Sequence, residues 1–371
     1  MYITSTISFY IILILVNVFL VKLSEWFSYK EKPNPLFWNL SMFSLIFVMG
    51  YRSIDVGVDD KNYLINYNAA NTLSLLDYYS SRVTEPGFYL LNRLVGMIFD
   101  DFQIVILVSS FITIFLFYKA FEFEFKKISL TLLIFIFITT QYFYYFGIVR
   151  LGIAAAIIAY AYRFIVRKEP KKVVVSILIA TLFHYSALFC FIFLFFMERN
   201  PKKTLKHVFK NNKILKVIVV IPILFLSIRF LVYPLITIDR YQGYVNSDIL
   251  LNFGFLTTLP FLIIFSIKLK DIKKDEHYYI YYILFIVKVL IEIFSPLIGI
   301  GRMVWYVNIT LCYLMCKVIK VEKNIFVKYV LFITVISYSI YYLNYAYFSD
   351  VTSIRSMYLI PYKNTFFEFF E

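Results

Sequence analysis

Charged residues are scarce in this sequence, making up 16% of its 371 residues, whereas soluble domains contain about 25%. No polar stretch between the apolar runs is long enough to bury a hydrophobic core of its own. These two absences exclude a soluble domain. The chain instead carries a series of apolar runs of roughly 20 residues, which is typical of helices that cross a bilayer. The sequence therefore predicts a polytopic α-helical membrane protein.

Cysteine and histidine are also rare, with three residues of each. Cys190, Cys312 and Cys316 all lie in apolar runs, so we interpret them as small core residues rather than disulfide partners or metal ligands. The chain also lacks a glycine-rich nucleotide-binding loop, a His/Cys set with metal-ligand spacing and a nucleophile elbow. We therefore expect neither a metal nor another cofactor.

The net charge of +14 does not indicate a nucleic-acid partner. Most Lys and Arg residues lie in short loops between apolar runs, as the positive-inside rule requires of cytoplasmic loops. No stripe of basic and aromatic residues lies outside the apolar runs. We therefore expect a chain that is embedded in the lipid bilayer and binds no nucleic acid.

Hydropathy predicts a single integral membrane domain over residues 1–371, with roughly 10–12 transmembrane helices including a re-entrant hairpin. The candidate spans cover residues 3–21, 36–50, 102–120, 128–146, 148–166, 214–235, 253–268, 278–297, 302–319 and 325–345.

The apolar run 173–196 contains His184 and is flanked by basic segments at 163–172 and 197–216. If both basic segments face the cytoplasm, the run must enter and leave the membrane on one side, as a hairpin with His184 near its tip. The alternative is a single span that leaves one basic segment outside. An ionisable side chain at membrane depth is costly and by default marks function. We therefore select His184 as a candidate acid or base.

The hairpin topology places both termini and several polar segments on the external face. Residues 51–101 form a long external loop, and its segment 87–99 is too short to cross upright, so we expect a re-entrant or interfacial helix there. Residues 346–371 form an external C-terminal tail. The turns and loops at 146–150, 236–252 and 298–302 complete this face.

The external loop is rich in acidic residues. Asp59 and Asp60 lie shortly after Gly57, and Glu85 lies near the end of the polar part of the loop. Paired carboxylates near an apolar wall can have separated pKa values, so that one serves as acid or base. We therefore select Asp59, Asp60 and Glu85 beside His184 as candidate catalytic residues. The alternative is that acidic residues are simply common in external loops.

Arg150 and Arg302 each interrupt apolar sequence where an external turn is expected. Arginine binds phosphate groups in bidentate geometry and stays charged in every environment, so a diphosphate is the favoured ligand. Arg240 is a weaker candidate for the same role. The alternative is that these arginines only anchor helix ends at the membrane interface.

Lys288 and Glu292 are four residues apart within one apolar run, so they would lie on the same face of a helix. We interpret them as a structural ion pair that neutralises two charges in the membrane. The alternative is a proton or ion pathway.

Several short motifs occur in a fixed order along nearly the whole chain. They are Arg52 with Val56-Gly57-Val58-Asp59 and Tyr63, Glu85-Pro86-Gly87-Phe88, Phe146-Gly147-Ile148-Val149-Arg150 with Ala154, Phe183-His184-Tyr185-Ser186-Ala187, Arg302 with Tyr306, and Ile360-Pro361-Tyr362-Lys363. In this order they resemble the EpsG family, within the Wzy-type polysaccharide polymerases. Two departures are Val58, where family members often carry Thr, and Leu151, where they often carry Gln.

The resemblance implies polymerisation of oligosaccharide repeat units carried on undecaprenyl diphosphate, at the external face of the bacterial cytoplasmic membrane. An acceptor hydroxyl would attack an anomeric carbon and the lipid diphosphate would leave, in a multi-pass protein compatible with a GT-C-like glycosyltransferase architecture. A chain-length regulator is a further candidate partner. The diphosphate is expected at Arg150 and Arg302, and the acid or base is expected to be His184 or Asp59. The expected substrate-binding residues together are Arg52, Tyr63, Arg150, Arg240, Arg302 and Tyr306.

Three other functions remain open from the sequence. A ligase that transfers finished chains would use nearly the same site. A membrane O-acyltransferase acting on polysaccharide would also have many spans and an intramembrane histidine, but should place its site on the inner side. A transporter of lipid-linked oligosaccharides usually has internal repeats, and none is visible in this sequence.

Overall fold

The structure is a computed structural model that describes residues 2–81, 84–197, 253–298, 301–344 and 358–368. Within these ranges the regular structure is helical and no strand occurs, which confirms the all-α prediction. The predicted span 214–235 and Arg240 lie outside the described residues. In the described part, five helices are long and apolar enough to cross a membrane: Ser5–Trp26, Phe102–Glu122, Val149–Val166, Glu276–Phe294 and Ile325–Leu343. The chain is therefore a multi-pass membrane protein.

The α-helices up to residue 183 are between four and 25 residues long. Their bounds are α1 (Tyr2–Trp26), α2 (Pro35–Gly50), α3 (Asp60–Thr72), α4 (Leu75–Ser81), α5 (Pro86–Ile98), α6 (Phe102–Glu122), α7 (Leu130–Phe137), α8 (Tyr144–Gly147), α9 (Val149–Val166) and α10 (Pro170–Phe183).

The later part of the chain has shorter helices around two long ones. Among the described residues of this part, three segments are 3-10 helices, Tyr185–Phe196, Phe253–Thr257 and Gly301–Tyr306. The α-helices are α11 (Leu259–Ile267), α12 (Leu269–Ile272), α13 (Glu276–Ile298), α14 (Ile309–Val321), α15 (Ile325–Leu343) and α16 (Thr365–Glu368).

Polar residues fix where several apolar helices begin. The side chains of Asn34, Asp101, Ser129 and Asn324 each accept a hydrogen bond from a backbone N–H in the first turn of the helix that follows. Such caps satisfy donors that have no partner within the helix. The boundaries of α2, α6, α7 and α15 therefore follow from single side chains in the sequence.

The predicted span 128–146 is not one regular helix, because residues Ile138–Tyr142 form a π-helical segment between α7 and α8. The hydroxyls of Thr139 and Thr140 donate to carbonyl oxygens three or four residues earlier, which includes that of Ile136. Back-bonding of this kind bends a helix, and π segments are frequent near functional sites. The segment ends directly before α8, which leads to Arg150.

The run 173–196 is divided at His184, where α10 ends and the 3-10 helix Tyr185–Phe196 begins. The hairpin prediction requires two short helices in this run, with the break near His184. The structure has that division, so the run is not one continuous helix.

The short segment 87–99 forms α5, which is about 20 Å long and so too short to span a bilayer upright. Its apolar side chains Leu90, Leu94, Met97 and Ile98 recur at helical spacing and are all exposed. Its opposite face packs on α3. An apolar exposed face on a short helix agrees with the expected interfacial position.

The chain divides into two compact units. The first comprises residues 1–163, 174–188 and 322–371, and the second comprises residues 164–173 and 189–321. In the first unit α2 packs against α1 and α6, while α1 also packs against α7. In the second unit α13 packs against α14 and the 3-10 helix Gly301–Tyr306.

Candidate functional site

Arg52 lies two residues after the end of α2 and is buried. Its Nε and Nη2 donate to the carboxylate of Asp60 at 3.0 and 2.9 Å. The same guanidinium donates to three backbone carbonyl oxygens, those of Met49, Val56 and Phe146, at 2.5, 2.8 and 2.7 Å. One side chain therefore joins the end of α2, the following loop, the start of α3 and the turn before α9.

Gly57 lies where the loop after Arg52 comes closest to Asp60 and to the backbone of Phe146. A Cβ atom there would come within 2.9 Å of both Asp60 Oδ2 and the carbonyl oxygen of Phe146. The φ angle of Gly57 is +138°, a region that side-chain-bearing residues rarely adopt. Both the space and the backbone conformation therefore require glycine at this position.

Burial raises the pKa of Asp60 to about 6, although Arg52 acts to lower it and Asp59 raises it further. Above that pH the Arg52–Asp60 contact is an ion pair. Both side chains are at most 1% exposed, so Arg52 has no open path to a substrate in this conformation. The geometry supports an architectural role for Arg52 and Asp60.

Arg150 lies at the first turn of α9, and its guanidinium forms a salt bridge with Glu85, the residue that precedes α5. Both side chains are largely buried. The guanidinium carbon lies 5.7 and 5.9 Å from the ring centroids of Tyr63 and Phe88, and Arg150 interacts electrostatically with Tyr63. A buried cation is thus held between one carboxylate and two aromatic rings.

The contacts of Arg150 with Glu85 and Tyr63 bring together three predicted site residues that are far apart in the sequence. Tyr63 belongs to α3, Glu85 precedes α5 and Arg150 is the second residue of α9. Burial raises the pKa of the Tyr63 phenol, and Arg150 opposes this effect. The Nε of Arg150 is buried and has no hydrogen-bond partner among the described residues.

Asp59 is half-buried, and its side chain makes no capping hydrogen bond to α3, which it precedes. It interacts electrostatically with both Asp60 and Tyr63. Asp59 is therefore partly accessible, whereas its neighbour Asp60 is enclosed.

His184 lies near Glu85 in the structure because the end of α10 packs against the start of α5. A Cβ atom on Gly87 would come within 2.7 Å of the carbonyl oxygen of Leu182, so the start of α5 lies directly against the end of α10. His184 follows α10 and is half-buried, with its Nδ1 2.7 Å from the hydroxyl of Ser186. Glu85 and His184 are each two residues away from this helix contact.

The C-terminal segment 358–368 contacts the residues on either side of Arg52. The backbone N–H of Ser53 donates to the carbonyl of Lys363 at 2.9 Å, and that of Thr365 donates to the carbonyl of Tyr51 at 2.8 Å. The hydroxyl of Tyr362 donates to the carbonyl of Val48 at 2.9 Å. The last predicted motif therefore packs against the first one.

The remaining predicted residues belong to the second unit or lie outside the described residues. Arg302 is exposed in the 3-10 helix Gly301–Tyr306, and Tyr306 is buried there. Lys288 and Glu292 lie 2.5 Å apart on α13, and Glu292 also accepts a hydrogen bond from Thr258 at 3.0 Å. The predicted ion pair is thus confirmed, with a third polar partner.

Sequence reasoning did not select two aromatic residues that shape the site. Phe88 contributes a ring beside Arg150, while Phe146 contributes a ring 5.3 Å from the guanidinium carbon of Arg52 and the carbonyl that Arg52 binds. Both are in the motifs quoted above, but nothing in a phenylalanine-rich sequence distinguishes them. In the described part of the chain, no group of three or more His, Cys, Asp or Glu residues is arranged to hold a metal ion.

Comparison with known proteins gives one match. The family model of the EpsG family matches residues 35–364, which is nearly the whole chain and includes Arg52, Asp60, Glu85, Arg150 and the motif Ile360-Pro361-Tyr362-Lys363. No curated protein and no solved structure matches the chain. Members of the EpsG family are Wzy-type polymerases. The chain belongs to the EpsG family.

Proposed function

We propose that this protein polymerises oligosaccharide repeat units carried on undecaprenyl diphosphate, at the external face of the bacterial cytoplasmic membrane. Membership of the EpsG family supports a polysaccharide polymerase in general terms. The lipid carrier, the membrane face and the residue roles are our proposal. The observation that carries them is the environment of Arg150.

Arg150 has the properties expected of a ligand for a membrane-anchored diphosphate. It lies at one end of α9, a helix long enough to span the bilayer, and lipid phosphate groups lie at the ends of spanning helices. Its buried Nε has no partner among the described residues. Because the site is shielded from water, a guanidinium there stabilises developing negative charge more strongly than it would in solvent.

The proposed reaction forms one glycosidic bond and breaks one bond to phosphate. The acceptor hydroxyl oxygen attacks the anomeric carbon of the donor sugar, and the bond from that carbon to the diphosphate oxygen breaks. The electron pair leaves with the diphosphate, where Arg150 stabilises it. The hydroxyl proton passes to a base. Arg302 remains a proposed second diphosphate ligand.

Asp59 is the stronger of the two candidate bases. It is accessible and interacts electrostatically with Tyr63, which in turn contacts Arg150. His184 is placed near the start of α5, and its Nδ1 is engaged with Ser186. We therefore assign proton transfer to Asp59 and assign to His184 a hydrogen bond to a sugar hydroxyl. In the free protein, Glu85 holds Arg150 in position until the diphosphate takes its place.

The test is to delete the gene and complement it with variants, then separate the lipid-linked products by mass. Deletion and Arg150→Ala should both cause single lipid-linked repeat units to accumulate, with polymer yield at least roughly tenfold lower, since one lost charge-assisted contact is worth about 1.4 kcal/mol or more. Arg93→Met is the matched control, because among the contacts described Arg93 donates to the carbonyl oxygens of Ala70 and Asn71.

Other outcomes point to other functions. Normal polymer length and yield with both Arg150→Ala and His184→Ala would refute the proposed mechanism. Loss of all externally exposed repeat units on deletion would indicate a transporter. Full-length polymer that lacks acyl groups would indicate an acyltransferase.

A further inference from the structure

Three tyrosines of the external loop form a contiguous aromatic group beside Glu85. Tyr78 and Tyr79 lie on α4 and Tyr89 lies on α5. The ring centroid of Tyr89 is 4.6 Å from that of Tyr78 and 5.5 Å from that of Tyr79. Tyr78 is fully buried, with its hydroxyl 2.6 Å from that of Thr84. Tyr78 is therefore the buried ring against which the ring of Tyr89 packs.

Tyr79 and Tyr185 keep exposed rings, with 38% and 41% of their surface accessible. Tyr185 follows His184, at the end of α10 that packs against Gly87 of α5. The phenol of Tyr79 interacts electrostatically with Tyr185, Tyr89 and Glu85, and burial is the largest factor that raises its pKa. The rings of Tyr79 on α4 and Tyr89 on α5 are therefore in contact, and Tyr185 and Glu85 lie near enough to Tyr79 to interact with its phenol electrostatically.

We propose that Tyr79, Tyr89 and Tyr185 form a carbohydrate subsite, here called the tyrosine platform, that holds a pyranose ring of the lipid-linked oligosaccharide. This inference rests on the function proposed above, and it adds where a sugar of the substrate binds. A pyranose has an apolar face of C–H bonds that packs on the flat face of an aromatic ring. Its rim of hydroxyls can exchange hydrogen bonds with phenol groups, which a tyrosine offers at the edge of its ring.

The position of the platform fits an oligosaccharide whose diphosphate is at Arg150. In such a substrate the first sugar is bonded directly to the phosphate, so the sugar-binding groups must lie immediately beside the phosphate ligand. Glu85 contacts Arg150 and also interacts with Tyr79. A belt of tyrosines at the membrane interface would also have exposed rings. Such a belt would not require one of the rings to interact with the carboxylate that binds Arg150, as Tyr79 does.

The experiment measures sugar binding directly, with the full-length protein in lipid nanodiscs. The probe is a set of oligosaccharides made by partial acid hydrolysis of the polysaccharide that the host cell exports. Saturation-transfer NMR reports contact, and titration gives the dissociation constant. The variants are Tyr79→Ala with Tyr185→Ala, the corresponding double Phe variant, and Tyr329→Ala as control. Tyr329 is 62% exposed on α15, so it loses a comparable exposed ring.

The double Ala variant should bind the oligosaccharides roughly tenfold more weakly, because it loses the contacts of two rings with the sugar. The double Phe variant keeps both rings and should lose threefold or less, which also shows that the fold tolerates change at these positions. Tyr329→Ala should bind as the unaltered protein does. Equal binding by the double Ala variant and the unaltered protein would overturn the tyrosine platform.

Failure of the platform and failure of the proposed function give different results. If the oligosaccharides bind through the tyrosines but deletion of the gene leaves polymer length unchanged, the subsite stands and the polymerase function is wrong. If deletion abolishes the polymer but the double Ala variant binds normally, the function stands and the subsite is wrong.

Discussion

Replacement of Arg52 by methionine tests whether one buried ion pair holds the loop that carries the site. Methionine fills a similar volume, but it leaves the carboxylate of Asp60 buried without a cation. Removal of one partner from a buried ion pair costs about 3–5 kcal/mol. Three carbonyl oxygens also lose the guanidinium that binds them. We therefore expect Arg52→Met to lower the free energy of unfolding by about 4 kcal/mol near pH 8.

The cost should depend on pH in a defined direction. The pKa of Asp60 in the folded protein, about 6, lies above its ordinary value of 3.8. Its contribution to stability is therefore fully present below pH 3.8 and is lost as the pH rises through about 6. Without Arg52 the pKa rises further, because the guanidinium acts to lower it. The difference between variant and unaltered protein should grow as the pH rises above 6.

The assay is reversible unfolding in mixed detergent micelles at pH 5 and pH 8, followed by far-ultraviolet circular dichroism. Arg93→Met is the control, since its guanidinium binds two carbonyl oxygens and no carboxylate among the contacts described. It should cost about 1–2 kcal/mol at both pH values.

A second variant separates loss of charge pairing from loss of packing. Arg52→Met with Asp60→Asn removes the unpaired carboxylate, so at pH 8 it should be more stable than Arg52→Met alone. If the double variant is no more stable, or if the cost of Arg52→Met is the same at pH 5 and pH 8, the buried charge is not what holds the loop.

Two further changes have defined outcomes. Gly57→Ala should lower the free energy of unfolding by about 2 kcal/mol or more and reduce polymer yield, because the new methyl group meets Asp60 and the Phe146 carbonyl in a conformation that alanine avoids. Unfolding and polymer assays measure both effects, and a variant with unchanged stability and yield would contradict the geometry. Lys288→Met should be strongly destabilising, whereas Lys288→Met with Glu292→Gln should be nearly neutral in unfolding assays; a stable double variant without activity would instead point to an ion pathway.

Much of the helical architecture was accessible from hydropathy and charge alone. The apolar runs predict the long helices α1, α6, α9, α13 and α15 within a few residues of their observed ends. Bilayer thickness imposes this regularity, since a spanning segment must be apolar and must satisfy its own backbone hydrogen bonds. The division at His184 followed from the distribution of basic loops, which restricts how often the chain can cross.

The internal arrangement of the site was less accessible. Asp59 and Asp60 are adjacent in the sequence and chemically equal, but in the structure one is half-buried and the other enclosed by Arg52. The partner of Arg150 is Glu85, 65 residues away. Contacts of this kind depend on how helices pack, and hydrophobic periodicity carries no information about which polar side chains meet.

Arg52 and Arg150 show why residue type alone does not assign function in this protein. All three guanidinium nitrogens of Arg52 donate to protein oxygens, so it has little capacity to hold a ligand. Arg150 has one carboxylate partner and a buried Nε without a partner among the described residues. The two are nevertheless linked, because Arg52 binds the carbonyl of Phe146, four residues before Arg150. Loss of Arg52 should therefore displace Arg150 and weaken polymerisation even if Arg52 never touches the substrate.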